Sequence, residues 1–127
     1  MNATLIKDGK LEEVKFIVNG EERVIRKCYH DNGKLKEETR YTNGKKHGTE
    51  KWYYKDGQLN FEWSYKKGKL DGISKGYYET GELRSKMPMI HGERSGVEQV
   101  YYENGKLKRE TSYKNGEIAY IKHYKRR

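Results

Sequence analysis

The chain repeats itself every 24 residues without a single gap, and that period decides what it can fold into. One glycine recurs at Gly9, Gly33, Gly57, Gly81 and Gly105, each followed two residues later by Leu11, Leu35, Leu59, Leu83 or Leu107. A second keeps the same step at Gly20, Gly44, Gly68, Gly92 and Gly116, and a third appears in the middle copies only, at Gly48, Gly72 and Gly96. Tyrosine recurs at Tyr29, Tyr53, Tyr77 and Tyr101, and again at Tyr41, Tyr65 and Tyr113. A fixed period of this length marks tandem structural units rather than one irregular globule. The copies run 1–24, 25–48, 49–72, 73–96 and 97–120, with a terminal strand and basic tail at 121–127, all in one domain.

Each copy divides at its glycines into two short runs of β-branched and aromatic residues bounded by Asn-Gly or Asp-Gly, which reads as a β-hairpin. No window carries helical periodicity. The fold class is all-β: an elongated single antiparallel sheet of about five tandem hairpins, about ten strands stacked at ~4.8 Å. In 97–120, a three-residue loop Glu103-Asn104-Gly105, with Gly105 left-handed, sets Tyr102 opposite Lys106 and Tyr101 opposite Leu107. Continued outward without interruption, this register puts Val97, Tyr101, Leu107, Thr111 and Tyr113 on one repeating face. The other face then carries the variable residues: Cys28 and His30, Trp52 and Tyr54, Gly76 and Tyr78, Val100 and Tyr102, Tyr124 and Arg126, with Glu38, Arg40, Glu62 and Glu110 between them.

The ends depart from the template, as terminal repeats do when they have a neighbour on one side only. Copy 1–24 has Leu5-Ile6 for the tyrosine pair and Val24 for the third glycine, and the last unit stops after the strand 121–124. Inside the array, Lys86-Met87-Pro88-Met89-Ile90 holds the chain's only proline. Proline removes a ladder hydrogen bond, so this strand is expected to be broken or bulged.

Tyr41-Thr-Asn-Gly44-Lys-Lys-His47-Gly48 and Tyr65-Lys-Lys-Gly68-Lys-Leu-Asp71-Gly72 resemble the MORN repeat, whose core reads Y-x-x-G-x-x-x-G. Lys51-Trp-Tyr-Tyr-Lys-Asp-Gly57-Gln-Leu59 is similar to its bacterial variant. The resemblance implies successive hairpins in one sheet. It also groups the chain with small cytoplasmic antitoxins of the YwqK type, and MORN repeats elsewhere with membranes and scaffolds. It supplies no catalytic residue.

The residues themselves offer little chemistry. The four histidines are scattered, and Cys28-Tyr-His30 is the only near pair, short of the ligands a metal site needs. Cys28 has no positioned base. Glu38, Glu62 and Glu110 recur once per copy beside lysines, which cross-strand ion pairing explains. The glycines sit in turns and never precede a helix, so no phosphate-cradling loop is present. The chain is therefore read as non-enzymatic, with no cofactor or metal. One cysteine allows no intrachain disulfide, and the N-terminus lacks a signal-peptide run, so a cytoplasmic protein is expected.

The net charge is +9. It concentrates in 25–48, which has seven basic against three acidic residues, and in the tail. That is not the continuous stripe a nucleic-acid binder carries. Nucleic acid is thus the weaker expectation, and an anionic membrane surface is the alternative partner. The first expectation is a protein partner, the chain acting as an immunity protein or antitoxin that binds and neutralises a toxin with an acidic domain. Its anchors are expected at the aromatics Trp52, Tyr54, Trp63, Tyr78 and Tyr102, because Trp and Tyr dominate interface hot spots. Arg26, Arg40, Lys45 and Lys46 are expected to steer its approach. Open edges at the two ends also suit pairing into a homodimer.

Overall fold

The computed structural model describes residues 3–125 and contains only strands and turns. Eleven strands form one antiparallel path. They are β1 (Ala3–Asp8), β2 (Leu11–Val18), β3 (Glu21–Tyr29), β4 (Leu35–Thr42), β6 (Gly48–Tyr53), β7 (Leu59–Lys66), β9 (Gly72–Tyr77), β10 (Leu83–Ile90), β12 (Gly96–Tyr101), β13 (Leu107–Lys114) and β14 (Glu117–His123). Three two-residue strands, β5 (Lys45–Lys46), β8 (Lys69–Leu70) and β11 (Glu93–Arg94), pair with β4, β7 and β10 as continuations of the turns. β1 and β14 stand at the two ends of the path, where the sequence places open edges.

From β2 onward two turn types alternate. The first is the expected three-residue loop: Tyr102 N–H donates to Lys106 O at 2.8 Å, Gly105 N–H donates to Tyr102 O at 2.9 Å, and Gly105 has φ 87°. The second is a two-residue turn with both central residues left-handed, as at Asn43 (φ 49°) and Gly44 (φ 80°), which suits the twist of a hairpin. Lys67 and His91 take the asparagine position in two of these turns at φ 51° and 49°.

The register departs from an uninterrupted hairpin in one decisive way. Tyr101 pairs with Leu107 as expected, but Val100 pairs with Arg109, which leaves Lys108 as an extra bulge residue. Lys36, Asn60 and Arg84 are extra at the same place in the earlier copies. Because side chains alternate, one extra residue exchanges the faces beyond it. Val97 therefore opposes Ser112 rather than Thr111. The two tyrosine series lie on opposite faces, which corrects the single repeating face read from the sequence.

One face carries Tyr29, Tyr53, Tyr77 and Tyr101 against their leucines, together with Glu38, Glu62 and Glu110. The other carries Tyr41, Tyr65 and Tyr113 together with Trp52, Phe61 and Trp63. The buried side chains of Val24, Thr39, Glu50, Ser74, Met89 and Thr111 all lie on this second face. A single sheet can bury one face only by curling over it, so the thin core sits there.

The third glycine marks a second irregularity. Between Glu38↔Lys51 and Tyr41↔Lys46 the returning chain carries two extra residues, and Gly48, at φ 96°, lies within that stretch. Hairpin β2–β3, which has Val24 in place of this glycine, pairs without any shift. Hairpin β13–β14 has a single extra residue, Ala119. The final copy is thus one residue short. Tyr124, not Lys125, donates its N–H to Lys108 O and takes the place of Tyr101, and the last strand is Glu117–His123 rather than 121–124.

Pro88 does not break its strand. β10 runs on through it, paired Pro88↔Ile73 on the β9 side. On the other side Pro88 O accepts Ser95 N–H at 3.1 Å within the glycine bulge. The nitrogen and carbonyl of a strand residue point the same way, so the proline spends its missing N–H on a bulge every middle copy already has.

Candidate binding surface

The third copy carries an arrangement that no other copy repeats. Phe61 stacks on Trp63 with ring centroids 4.4 Å apart and planes at 21°, and Trp52 meets Trp63 edge-on at 6.1 Å and 78°. The rings form a shelf across β6 and β7 because Trp52 directly opposes Phe61, and Glu50 opposes Trp63. The equivalent positions elsewhere hold Cys28, Gly76 and Val100 for Trp52, Glu37, Ser85 and Arg109 for Phe61, and Thr39, Met87 and Thr111 for Trp63. All three rings are half-buried, so each offers surface while being held from below.

A buried carboxylate fixes the shelf. Glu50, 5 % exposed, accepts from Trp52 Nε1 and from Lys46 Nζ, both at 2.8 Å. Two donors satisfy its charge where burial would otherwise be costly. The hydrogen bond from Lys46 to Glu50 raises the Lys46 pKa above its ordinary value, against the opposing effect of desolvation. The same ammonium lies 5.1 Å from the Tyr65 ring centroid. Burial raises the pKa of the Tyr65 hydroxyl. On the far side, Gly76 leaves room for Phe61: a Cβ there would lie 2.9 Å from Phe61 Cε2.

The expected anchors separate into two groups. Trp52 and Trp63 come together on the shelf. Tyr54, Tyr78 and Tyr102 lie at the loop end of each hairpin. Their hydroxyls donate to the backbone of the next copy: Tyr54 to Tyr77 O at 2.7 Å, Tyr78 to Tyr101 O at 2.6 Å and Tyr102 to Tyr124 O at 2.9 Å. His30 Nε2 meets Tyr53 O at 3.0 Å in the same position of the second copy. These side chains staple consecutive copies together. The expected basic group is likewise divided. Arg26 is exposed on the shelf face and Lys46 is tied to Glu50. Arg40 lies on the opposite face, 3.3 Å from Glu38, and Lys45 stands exposed beside a turn.

Phe61 and Glu50 are absent from the sequence reading of the site. Phe61 was legible by the criterion that singles out the tryptophans, since it is an aromatic at a position where other copies vary. Glu50 gives no such signal, because Glu98 stands at the same place in the fifth copy without an indole to hold.

Four stretches, 24–43, 46–67, 70–91 and 94–115, match the family described as the MORN repeat variant, and together they cover more than half of the chain. The protein belongs to the MORN repeat variant family. MORN repeats are interaction modules for protein or membrane surfaces. No curated protein matches the chain closely. Among the described residues of this MORN-repeat chain, no group of three or more His, Cys, Asp or Glu side chains is placed to hold a metal ion.

Proposed function

We propose that this MORN-repeat chain is a protein-binding module that seats its partner on the Trp52–Phe61–Trp63 shelf, and that in the cytoplasm it serves as an immunity protein or antitoxin occluding a toxin. The shelf carries the reading. Among the described residues it is the place where three aromatic rings outside the repeat template pack against one another, so they are held before any partner arrives. Rings that need no ordering lose little entropy on binding, so their buried area translates into affinity more fully. Trp is also among the residue types that dominate interface energetics, and Phe is enriched at interfaces. Antitoxin action rests on the resemblance of the repeats to that bacterial group and on the suitability of an extended sheet for masking another protein.

The test is affinity capture of the tagged chain from lysate of its own cells, washed at moderate and then high salt, beside the Trp63→Ala variant. One stoichiometric protein held by the wild type through both washes and lost with Trp63→Ala supports the reading. Recovery of nucleic acid or lipid alone, released by high salt, refutes it. Co-expression with a captured toxin then distinguishes neutralisation from simple association.

A further inference from the structure

The face opposite the shelf carries a row of alternating charge that holds as far as Lys75 and breaks at Lys86 and Gln99. Strand register aligns Glu12, Lys27, Glu38, Lys51, Glu62 and Lys75 as successive opposing neighbours, acid and base in strict alternation. The next neighbour of Lys75 is Lys86, followed by Gln99, Glu110 and Lys122. Lys86 occupies the place of Glu38, Glu62 and Glu110 in the other copies. It is the one lysine of this row, among the described residues, with no carboxylate on either side. Like charges placed directly opposite on a sheet repel, so the fault is a standing demand for an anion.

The adjacent row changes in the same copy. Ile73, 50 % exposed, directly opposes Pro88. The matching pairs are Ile25 with Arg40, Thr49 with Ser64 and Val97 with Ser112, so only this copy has two apolar residues there. The apolar pair and the lysine pair lie two residues apart along the strands, about 7 Å at ~3.4 Å per residue. That is the spacing of side chains i and i+2 on one face of an extended peptide.

We propose that the fourth copy docks an extended acidic segment of the protein partner, with an apolar side chain over Ile73 and Pro88 and a carboxylate two residues on between Lys75 and Lys86. The inference rests on the reading of the chain as a protein-binding module and adds the chemistry of what it binds on this face. The seated carboxylate supplies the negative charge missing between the two lysines. Neighbouring copies reject the same segment, because their lysines already have acidic partners.

The test is a titration followed by amide chemical shifts, with a capped Leu-Thr-Glu-Thr-Leu peptide as probe and its Gln counterpart as control. Shifts confined to 73–77 and 83–88, weakened at least about tenfold by Gln in the peptide or by Lys86→Glu in the protein, support the site. Lys86→Glu turns the like-charged pair with Lys75 into an opposite-charged one, so its Tm is also expected to rise by about 1–3 °C. Shifts spread over Arg26, Lys45 and Lys46, equal binding of the two peptides, or no shifts at all overturn the site. Vesicles of phosphatidylserine form the last arm, and binding to them that Lys86→Glu abolishes assigns the fault to a lipid instead. Full capture of the lysate partner by Lys86→Glu, with loss by Trp63→Ala, removes this inference and leaves the protein-binding reading intact.

Discussion

Replacing Gly76 with alanine tests the packing of the shelf without the backbone strain of a left-handed glycine. Thirteen glycines of the chain have a positive φ, so their substitution mixes backbone strain with sterics, but Gly76 is not among them. Its added Cβ would stand 2.9 Å from Phe61 Cε2, 2.9 Å from Ser85 Oγ and 3.3 Å from Arg84 Nη2. Ser85 and Arg84 can turn away. Phe61 cannot move freely, because it is stacked on Trp63 at 4.4 Å. Overpacking of this kind costs about 1–3 kcal/mol. The stiffer unfolded chain returns about 0.4–1 kcal/mol. The net loss is then about 1–2 kcal/mol, or about 3–8 °C in Tm for a chain of this length. Guanidinium titration followed by tryptophan emission and by far-ultraviolet dichroism measures it. In a Phe61→Leu background, where the ring edge is gone, the same substitution should cost less than half as much. A Gly76→Ala protein as stable as the wild type would refute the reasoning, because the close approach of Phe61 would then hold nothing in place.

Three further outcomes follow from the same geometry. Tyr54→Phe and Tyr78→Phe each remove one inter-copy hydrogen bond and should each lower stability by about 0.5–1.5 kcal/mol in denaturant titrations, adding in the double variant; no change in either would show that the staples contribute nothing. Lys67→Asn relieves a lysine at φ 51° and should raise stability by about 0.5–1 kcal/mol, whereas a loss would show that the lysine side chain has a role in its turn. The fold should also weaken above about pH 10. Lys46 is raised above its ordinary 10.5, so its contribution is complete below that value and disappears as pH rises through the folded pKa. The Tyr53, Tyr65 and Tyr77 hydroxyls are raised above 10.0 chiefly by burial and act in the same direction. Phenolate absorbance that rises well before unfolding would contradict this.

The repeating glycines and tyrosines made the architecture legible, including the three-residue loop with Gly105 left-handed. The face assignment was not legible. The exchange of faces depends on one bulge residue per hairpin, and Lys36, Asn60, Arg84 and Lys108 are ordinary polar residues with no compositional mark. Reading straight through them put Trp52 and Tyr65 on opposite faces when they share one. Pro88 misled for a related reason: its cost depends on which neighbour its nitrogen faces, and only the register reveals that this is the bulge. Tyr54, Tyr78 and Tyr102 carried a readable signal in their own 24-residue recurrence, which marks a role in the template, and the structure shows that role as the inter-copy staple. Phe61 was within reach of the sequence, whereas Glu50 acquires its importance only from the indole it holds.

The chain's two tryptophans both lie on the shelf, so their fluorescence reports on that surface alone. The decisive measurement is quenching of tryptophan emission by acrylamide, in the free protein and in its complex with the captured partner, using a partner preparation whose own tryptophans have been replaced. If the shelf seats the partner, the half-exposed indoles become strongly protected in the complex and the emission moves to shorter wavelength. Equal quenching in the free and bound protein would place the partner elsewhere and contradict the assignment of the Trp52–Phe61–Trp63 shelf as the binding surface.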